Sequence, residues 1–127
     1  MQKIFTLALT FILCACASEV VRHSSSLSPQ VTSPTSRWVL LSDAAIEADS
    51  SYNRIIPGNT EFVHIGTLPE GKVLKPTNTV LTIEGKHMHE VYIVIKNNVL
   101  IGFYMPVEKS FAPLTKKIHL NFKEISK

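Results

Sequence analysis

The chain of 127 residues contains no cysteine after Cys16. The sequence beyond this position therefore has neither a disulfide nor a cysteine nucleophile, even in an oxidising compartment. A domain without such cross-links must be stabilised by a hydrophobic core, and roughly ninety residues are enough to build one core. We therefore predict one small domain over residues 37–127.

A strong excess of charge of one sign is also lacking. The chain has 13 lysine and arginine residues against 10 aspartate and glutamate residues, for a formal net charge of +3. This imbalance is too small to indicate binding to nucleic acid or to another polyanion. We therefore exclude nucleic acid from the expected partners.

The local motifs of common catalytic sites are missing as well. There is no Gly-X-Ser-X-Gly elbow, no phosphate-binding loop and no His-Glu-X-X-His sequence. The possible catalytic groups are Ser110 near Glu108 and Lys109, and His87 with Glu90. Neither group has a neighbouring base and oxyanion site in the sequence. We interpret Glu108 and Lys109 as a solvated loop pair and expect no enzymatic activity.

Long apolar runs are confined to the start of the chain. Residues 4–15 are apolar apart from Thr6 and Thr10, and they follow Lys3. About twelve residues are too few to span a bilayer core, which requires about 20. A basic start, a short apolar run and a small residue before the cleavage point are typical of a removable signal peptide. A buried helix is the alternative.

The apolar run ends in Leu13-Cys14-Ala15-Cys16, which resembles the lipobox of bacterial lipoproteins. The resemblance implies that residues 1–15 are removed and that Cys16 is acylated and becomes the N-terminus. Anchoring is stable when two or more acyl chains are attached. Ala17 and Ser18, rather than Asp, follow Cys16, which favours the outer membrane facing the periplasm. Cleavage without lipidation is the alternative.

Serine and proline dominate the next stretch, from Ser24 to Ser36. Such a composition buries too little apolar surface to offset the entropy lost on ordering. We therefore predict that residues 16–36 carry the lipid and form a flexible tether, with its ends roughly 25 Å apart. The alternative is a short motif that folds on a partner through Val20 and Val21.

Turn residues divide the remaining chain into short apolar segments, which is the pattern of strands. We expect strands at Trp38–Leu41, Phe62–Ile65, Val73–Leu74, Thr79–Ile83 and Lys117–Phe122. Val73–Leu74 should be short or at an edge because Pro76 cannot donate to a ladder. Ala44–Ala48 is predicted as a short helix that Ser42 or Asp43 caps.

The clearest element is a hairpin of Val91–Ile95 and Val99–Met105. Asn97 and Asn98 between the arms tolerate the positive φ of a two-residue turn. Both arms are apolar on both faces, which predicts central strands. The expected core residues are Val91, Ile93, Ile95, Ile101 and Phe103. Residues 107–114, after Pro106, are predicted as a loop.

These elements predict a mainly β fold, a small antiparallel sandwich or barrel-like domain, with a small α+β domain as the alternative. The loop after the hairpin brings aromatic and apolar residues together around two prolines. If exposed, these residues would form a protein interface, with core packing as the alternative. The interface candidates are Tyr104, Met105, Phe111 and Leu114.

One cluster has metal-binding chemistry. His87 and His89 point to the same face of an extended chain, and two imidazoles at this spacing can bind copper or zinc. Met88 is a soft donor but points to the opposite face, and His64 or His119 could complete a site. The alternative is a polar strand end.

Together these features predict a lipid-anchored envelope protein that binds or supports a protein partner, such as a member of an envelope or secretion assembly. The resemblance to the small lipoproteins of such assemblies lies in the layout of lipid, tether and domain. The alternative function is a periplasmic copper- or zinc-binding lipoprotein.

Overall fold

The computed structural model describes residues 20–30, 36–48, 52–84 and 87–125. The predicted signal peptide and Cys16 lie outside these residues. The regular structure of the described ranges is entirely β, and none of them contains a helix long and apolar enough to cross a membrane. The strands are β1 (His23–Ser24), β2 (Ser28–Pro29), β3 (Arg37–Leu40), β4 (Ala44–Ala48), β5 (Tyr52–Ile56), β6 (Glu61–Thr67), β7 (Lys72–Pro76), β8 (Leu81–Glu84), β9 (Met88–Lys96), β10 (Val99–Met105), β11 (Ser110–His119) and β12 (Phe122–Ile125).

Ten of these strands form one antiparallel sheet. Its order is β1-β11-β10-β9-β7-β6-β3-β12, with β2 paired to β6 and β8 paired to β9. The hairpin of β4 and β5 forms a second, two-stranded sheet. The fold is mainly β and sandwich-like rather than a closed barrel, which confirms the predicted class.

Each face of the large sheet covers a hydrophobic cluster. Along β9, Val91, Ile93 and Ile95 belong to the main core, whereas Tyr92 and Val94 belong to a smaller cluster. Successive side chains of a strand point to opposite faces, so the two clusters lie on opposite sides. The β4–β5 hairpin contributes to the main core, with Ile46 and Ile56 fully enclosed.

The predicted central hairpin is confirmed. Lys96 pairs with Val99, and Asn97 and Asn98 have φ values of 54° and 62°, as a primed two-residue turn requires. Strand β9 pairs with β10 on one side and β7 on the other, so it is central. The turn follows from asparagine's tolerance of positive φ.

One predicted core residue is wrong. Val91, Ile93, Ile95 and Phe103 are buried, but Ile101 is only half-buried, against the smaller cluster. Between Leu100 and Gly102 the pairing with β9 advances by only one residue on β9, from Ile95 to Val94, which marks a bulge at Ile101. The extra residue changes the alternation, so Leu100 and Phe103 share the main core and Ile101 faces away.

The predicted helix at Ala44–Ala48 is also wrong, because this segment is strand β4. Ala44 and Ile46 are buried while Ala45 is exposed, which is the two-residue period of a strand. Five residues are too few for a helix to repay its nucleation cost, whereas pairing with β5 satisfies the backbone.

The segment 107–114 is not wholly a loop, because β11 begins at Ser110. Met105 is the last residue of β10, as Pro106 predicts, and the chain turns over residues 106–109. Pro113 is tolerated within β11 because it lies beyond Phe111, where the pairing with β1 ends.

Two other expectations about strands change. Strand β7 is not at an edge, since it pairs with both β6 and β9, and the β9 pairing stops at Leu74 before Pro76 needs to donate. The segment 117–122 is divided, because β11 ends at His119 and β12 begins at Phe122. Between them Leu120 is buried, and β12 pairs with β3 at the end of the strand order.

Residues 20–30, which we call the N-terminal strap, lie on the sheet rather than forming a free tether. His23 and Ser24 pair with β11, and Ser28 and Pro29 pair with β6. Leu27 packs against the smaller cluster. A Cβ atom on Gly66 would lie 2.5 Å from the Ser28 carbonyl oxygen, so glycine permits this close approach. Local composition did not indicate this nonlocal pairing.

Glu70 fixes the strap at the turn between β6 and β7. Its carboxylate accepts from His23 Nε2 at 2.9 Å and from Ser25 Oγ at 2.9 Å. Burial alone would raise the pKa of Glu70, but the hydrogen bonds from His23 and Ser25 outweigh it and hold the pKa below its ordinary value. The strap is therefore held by a charged carboxylate as well as by Leu27.

Candidate functional site

The turn between β10 and β11 brings a carboxylate to the start of β9. Tyr104 pairs with Tyr92, so the chain that continues beyond β10 passes alongside the residues before Tyr92. There Glu108 Oε1 lies 2.6 Å from His89 Nδ1. The Glu108 and His89 side chains retain only 20% and 12% of their exposure. This pair is therefore largely removed from solvent.

The turn holds Glu108 through its backbone. Lys109 has a φ of 51°, a left-handed conformation, and the buried Ser110 donates from its hydroxyl to the Glu108 carbonyl oxygen at 3.0 Å. Glu108 is therefore not half of a solvated loop pair, as its sequence neighbours suggested. The hydroxyl of Ser110, considered above as a nucleophile, stabilises this turn.

His87 and His89 lie next to each other, as their spacing predicts. Their ring centroids are 6.4 Å apart and the rings are nearly perpendicular, at 86°. His87 is exposed, as are Met88 and Glu90, whereas His89 is half-buried. The polar strand end therefore has one accessible imidazole beside one that a carboxylate orients.

The other two histidines considered as ligands lie elsewhere. His119 pairs with Val99, beside the β9–β10 turn. This turn follows Lys96, about 23 Å along β9 from His89 at roughly 3.3 Å per residue. His64 pairs with Leu74, two strands from β9. The structure therefore does not bring either residue to the His87–His89 pair.

His64 is buried on β6. Burial holds the pKa of His64 below its ordinary value and Lys72 adds to the effect, against an opposing hydrogen bond with the Gly66 backbone. Nε2 of His64 is buried, and no donor or acceptor in the described part of the chain reaches it. In these same ranges, no three histidine, cysteine or acidic residues form a metal-binding group.

The interface prediction fails for its four residues. Tyr104, Met105, Phe111 and Leu114 are all buried, Met105 completely. Met105 and Leu114 belong to the main core, while Tyr104 and Phe111 belong to the smaller cluster. They pack inward because residues 110–114 form a strand next to β10 rather than an open loop.

Two exposed apolar residues line a cleft at a different place. Ile55 and Val80 are 62% and 66% exposed and line a cleft of about 200 Å³. Ile46, Ile56 and Phe103 form its inner wall. The cleft lies between the β4–β5 hairpin and the residues that lead into β8. Sequence reasoning missed this surface because it required the position of the second sheet.

No protein-family model, no curated protein and no solved structure matches the chain. Two sites in the described residues combine suitable chemistry and geometry: the imidazole pair with Glu108 and the apolar cleft beside Ile55.

Proposed function

We propose that the protein is an envelope lipoprotein, anchored through Cys16 in the outer membrane facing the periplasm, that binds a protein partner without catalysing a reaction. The observation that carries this proposal is the sequence Leu13-Cys14-Ala15-Cys16 directly after a short apolar run with a basic start. This order of segments is that of a lipoprotein signal. The acyl chains supply the membrane affinity.

The position of the N-terminal strap favours a short distance between the membrane and the folded domain. Val20 packs against the main core, and the chain from Cys16 to Val20 spans at most about 14 Å when fully extended. An acylated Cys16 would therefore hold the sheet close to the bilayer. A partner on the same membrane meets the domain at a raised effective concentration, so a small interface is sufficient.

The cleft beside Ile55 is the surface best suited to such a partner. It combines exposed apolar side chains with a concave shape, as interaction sites commonly do. Strand β5 pairs with β4 and strand β8 pairs with β9, and the two strands flank the cleft. Apolar side chains of a partner would pack against Ile55 and Val80 at the rim of this cleft.

Metabolic labelling with radioactive palmitate tests the anchor. The wild type should incorporate label, Cys16→Ser should not, and Cys14→Ser should retain it because only Cys16 is acylated. After membrane fractionation, the wild type and Cys14→Ser should be found with the membranes, and Cys16→Ser should not. Labelling of Cys16→Ser, or its loss in Cys14→Ser alone, would contradict the proposal.

A photo-crosslinking residue in place of Ile55 or Val80 tests the cleft in intact cells. Both positions should yield the same crosslinked protein, and the control position Leu41, also exposed, should not. Val80→Asp in the Ile55 crosslinking protein should abolish the product. Equal crosslinking from Leu41 would show that the cleft is not the binding surface.

A further inference from the structure

We propose that His87 and His89 bind one copper or zinc ion and that Glu108 is the positioning residue of this site. The proposal does not depend on the lipid anchor or on the cleft beside Ile55. It begins from the 2.6 Å contact between His89 Nδ1 and Glu108 Oε1. A carboxylate accepts the proton of Nδ1, so the neutral ring carries its lone pair on Nε2.

This arrangement is the one that metal-binding histidines commonly have. A ligating imidazole usually donates its other ring N–H to a carboxylate, which sets the tautomer and makes the ligating nitrogen more basic. His89 is held in this way while His87 remains exposed. One ligand is therefore oriented in advance and the other can adjust to the ion.

The second oxygen of Glu108 supplies independent support. Oε2 of Glu108 is buried, and no donor in the described ranges of the chain reaches it. A buried carboxylate with an unsatisfied oxygen is costly, because charge in a low-dielectric site must be compensated. A cation bound at Nε2, on the far side of the His89 ring, would offset the negative charge of Glu108, because the ring and the carboxylate share the proton of Nδ1.

The two rings are slightly too far apart to share an ion without a side-chain movement. A metal–nitrogen distance of about 2.0–2.1 Å places each ring centroid about 3.2 Å from the ion, so two ligating imidazoles have centroids about 4.5–5.3 Å apart at bond angles of roughly 90–110°. The observed separation of 6.4 Å exceeds this by about 1 Å. Because His87 is exposed, a rotation of its side chain can close this gap.

The donor set defines the class of ion. Two imidazoles bind copper and zinc well and bind calcium or magnesium poorly, and copper(II) binds more tightly than zinc(II) at a given nitrogen site. Met88 is exposed and alternates to the opposite side of β9, so it is not expected to be a ligand. Solvent completes the coordination in this arrangement.

Calorimetric titration of the full chain in detergent, without a histidine tag, tests the site. Copper(II) and zinc(II) should each bind with one ion per chain, copper more tightly. His87→Ala and His89→Ala should each weaken binding at least tenfold. His119→Ala is the matched control, since it removes an exposed histidine from the other end of the sheet, and it should change the affinity less than twofold.

The Glu108 variants separate positioning from simple stability. Glu108→Ala should weaken binding about 100-fold, and Glu108→Gln, which can still accept from Nδ1, about tenfold. Thermal unfolding without metal identifies any loss of folding, and metal should raise Tm in the wild type but not in His89→Ala. Glu108 variants that lower Tm yet leave the affinity unchanged would refute its role. An affinity unaffected by either histidine variant would refute the site.

Discussion

Replacing Glu70 with alanine should release the N-terminal strap without unfolding the sheet. The Ser25 hydroxyl donates one hydrogen bond that the two Glu70 carboxylate oxygens share, at 2.9 and 3.2 Å, and His23 Nε2 donates another at 2.9 Å. Hydrogen bonds to a charged group contribute about 1.5–3 kcal/mol. The contact with His23, whose side chain is 58% exposed, contributes at most about 1 kcal/mol. We therefore expect a loss of about 1–3 kcal/mol, confined to the strap.

Amide hydrogen exchange measures this local opening. Two strap amides report it: Ser25 N donates to the Lys109 carbonyl at 3.1 Å, and Gln30 N donates to the Ile65 carbonyl at 2.9 Å. A loss of about 1–3 kcal/mol should raise their exchange rates roughly 5- to 150-fold. The amides of β9, which is central in the sheet, should be unaffected.

The matched control is Glu61→Ala. It removes the contact between Glu61 and Arg37, which is 3.4 Å long and has 38% and 43% exposed partners. Such surface pairs contribute about 0–1 kcal/mol, so the strap amides should keep their protection. Unchanged exchange at Ser25 and Gln30 in Glu70→Ala would refute the reasoning, as would an equal increase throughout β9.

The same contact predicts a dependence on pH. Glu70 has a lowered pKa in the folded protein, so its contribution is present above the ordinary carboxyl pKa and is lost as pH falls through the lowered value. Exchange of the strap amides, corrected for intrinsic rates, should accelerate in this acidic window. Glu70→Ala should not show the additional acceleration.

Three further predictions concern the fold. Burial holds the pKa of His64 below 6.5, so protonation of this ring favours the unfolded chain. The free energy of unfolding, measured in urea, should therefore decline as pH falls below 6.5. The decline should be smaller in His64→Leu. Ile93→Ala should lower the free energy of unfolding by about 2–5 kcal/mol in the same assay, and Ile101→Ala should lower it clearly less because Ile101 is half-buried. Equal losses would contradict the bulge. Gly102→Ala places a Cβ 2.5 Å from the Ala112 carbonyl oxygen and should cost about 1–3 kcal/mol, visible as a lower Tm.

The parts of the fold that the sequence predicts well are those that local chemistry determines. The β9–β10 hairpin follows from Asn97 and Asn98 in the turn and from two apolar arms, so its turn, its second arm and its central position were predictable, although β9 begins at Met88 rather than at Val91. The bulge at Ile101 was not predictable, because it depends on how β10 pairs with β9. A single inserted residue then reverses which side chains face the core.

The remaining errors share a nonlocal cause. Ala44–Ala48 contains good helix formers, yet its pairing with β5 decides its conformation. The strap has the composition of a flexible segment, but Leu27 packs against the smaller cluster. Ser25 also donates a hydrogen bond to Glu70, which is 45 residues away in the sequence. Composition indicates how much apolar surface a segment can bury by itself. It does not indicate which contacts a strand that is distant in the sequence will make with that segment.

The candidate metal site also has one part that local sequence predicts and one part that depends on nonlocal pairing. The His-Met-His spacing identifies His87 and His89 directly, because alternation along a strand is local. The sequence around Glu108 predicts a solvated side chain, because its contact with His89 depends on the turn that follows β10 and on the register between β10 and β9. A sequence search for ligands finds the two imidazoles and misses the group that orients one of them.

The strap also changes what a lipid anchor at Cys16 would do. With the strap docked, at most about 14 Å of chain separates Cys16 from Val20, whereas a released chain of twenty residues has ends roughly 25 Å apart. Removing the Glu70 contact, at a loss of about 1–3 kcal/mol, would raise the released fraction of the strap roughly 5- to 150-fold, and a partner that prefers the released state would shift the same equilibrium. Because Glu70 and Leu27 both hold the strap, the reach of a domain anchored at Cys16 would depend on both contacts. A domain tethered in this way would lie close to the membrane while the strap is docked and would sample a broader range of distances when the strap is released.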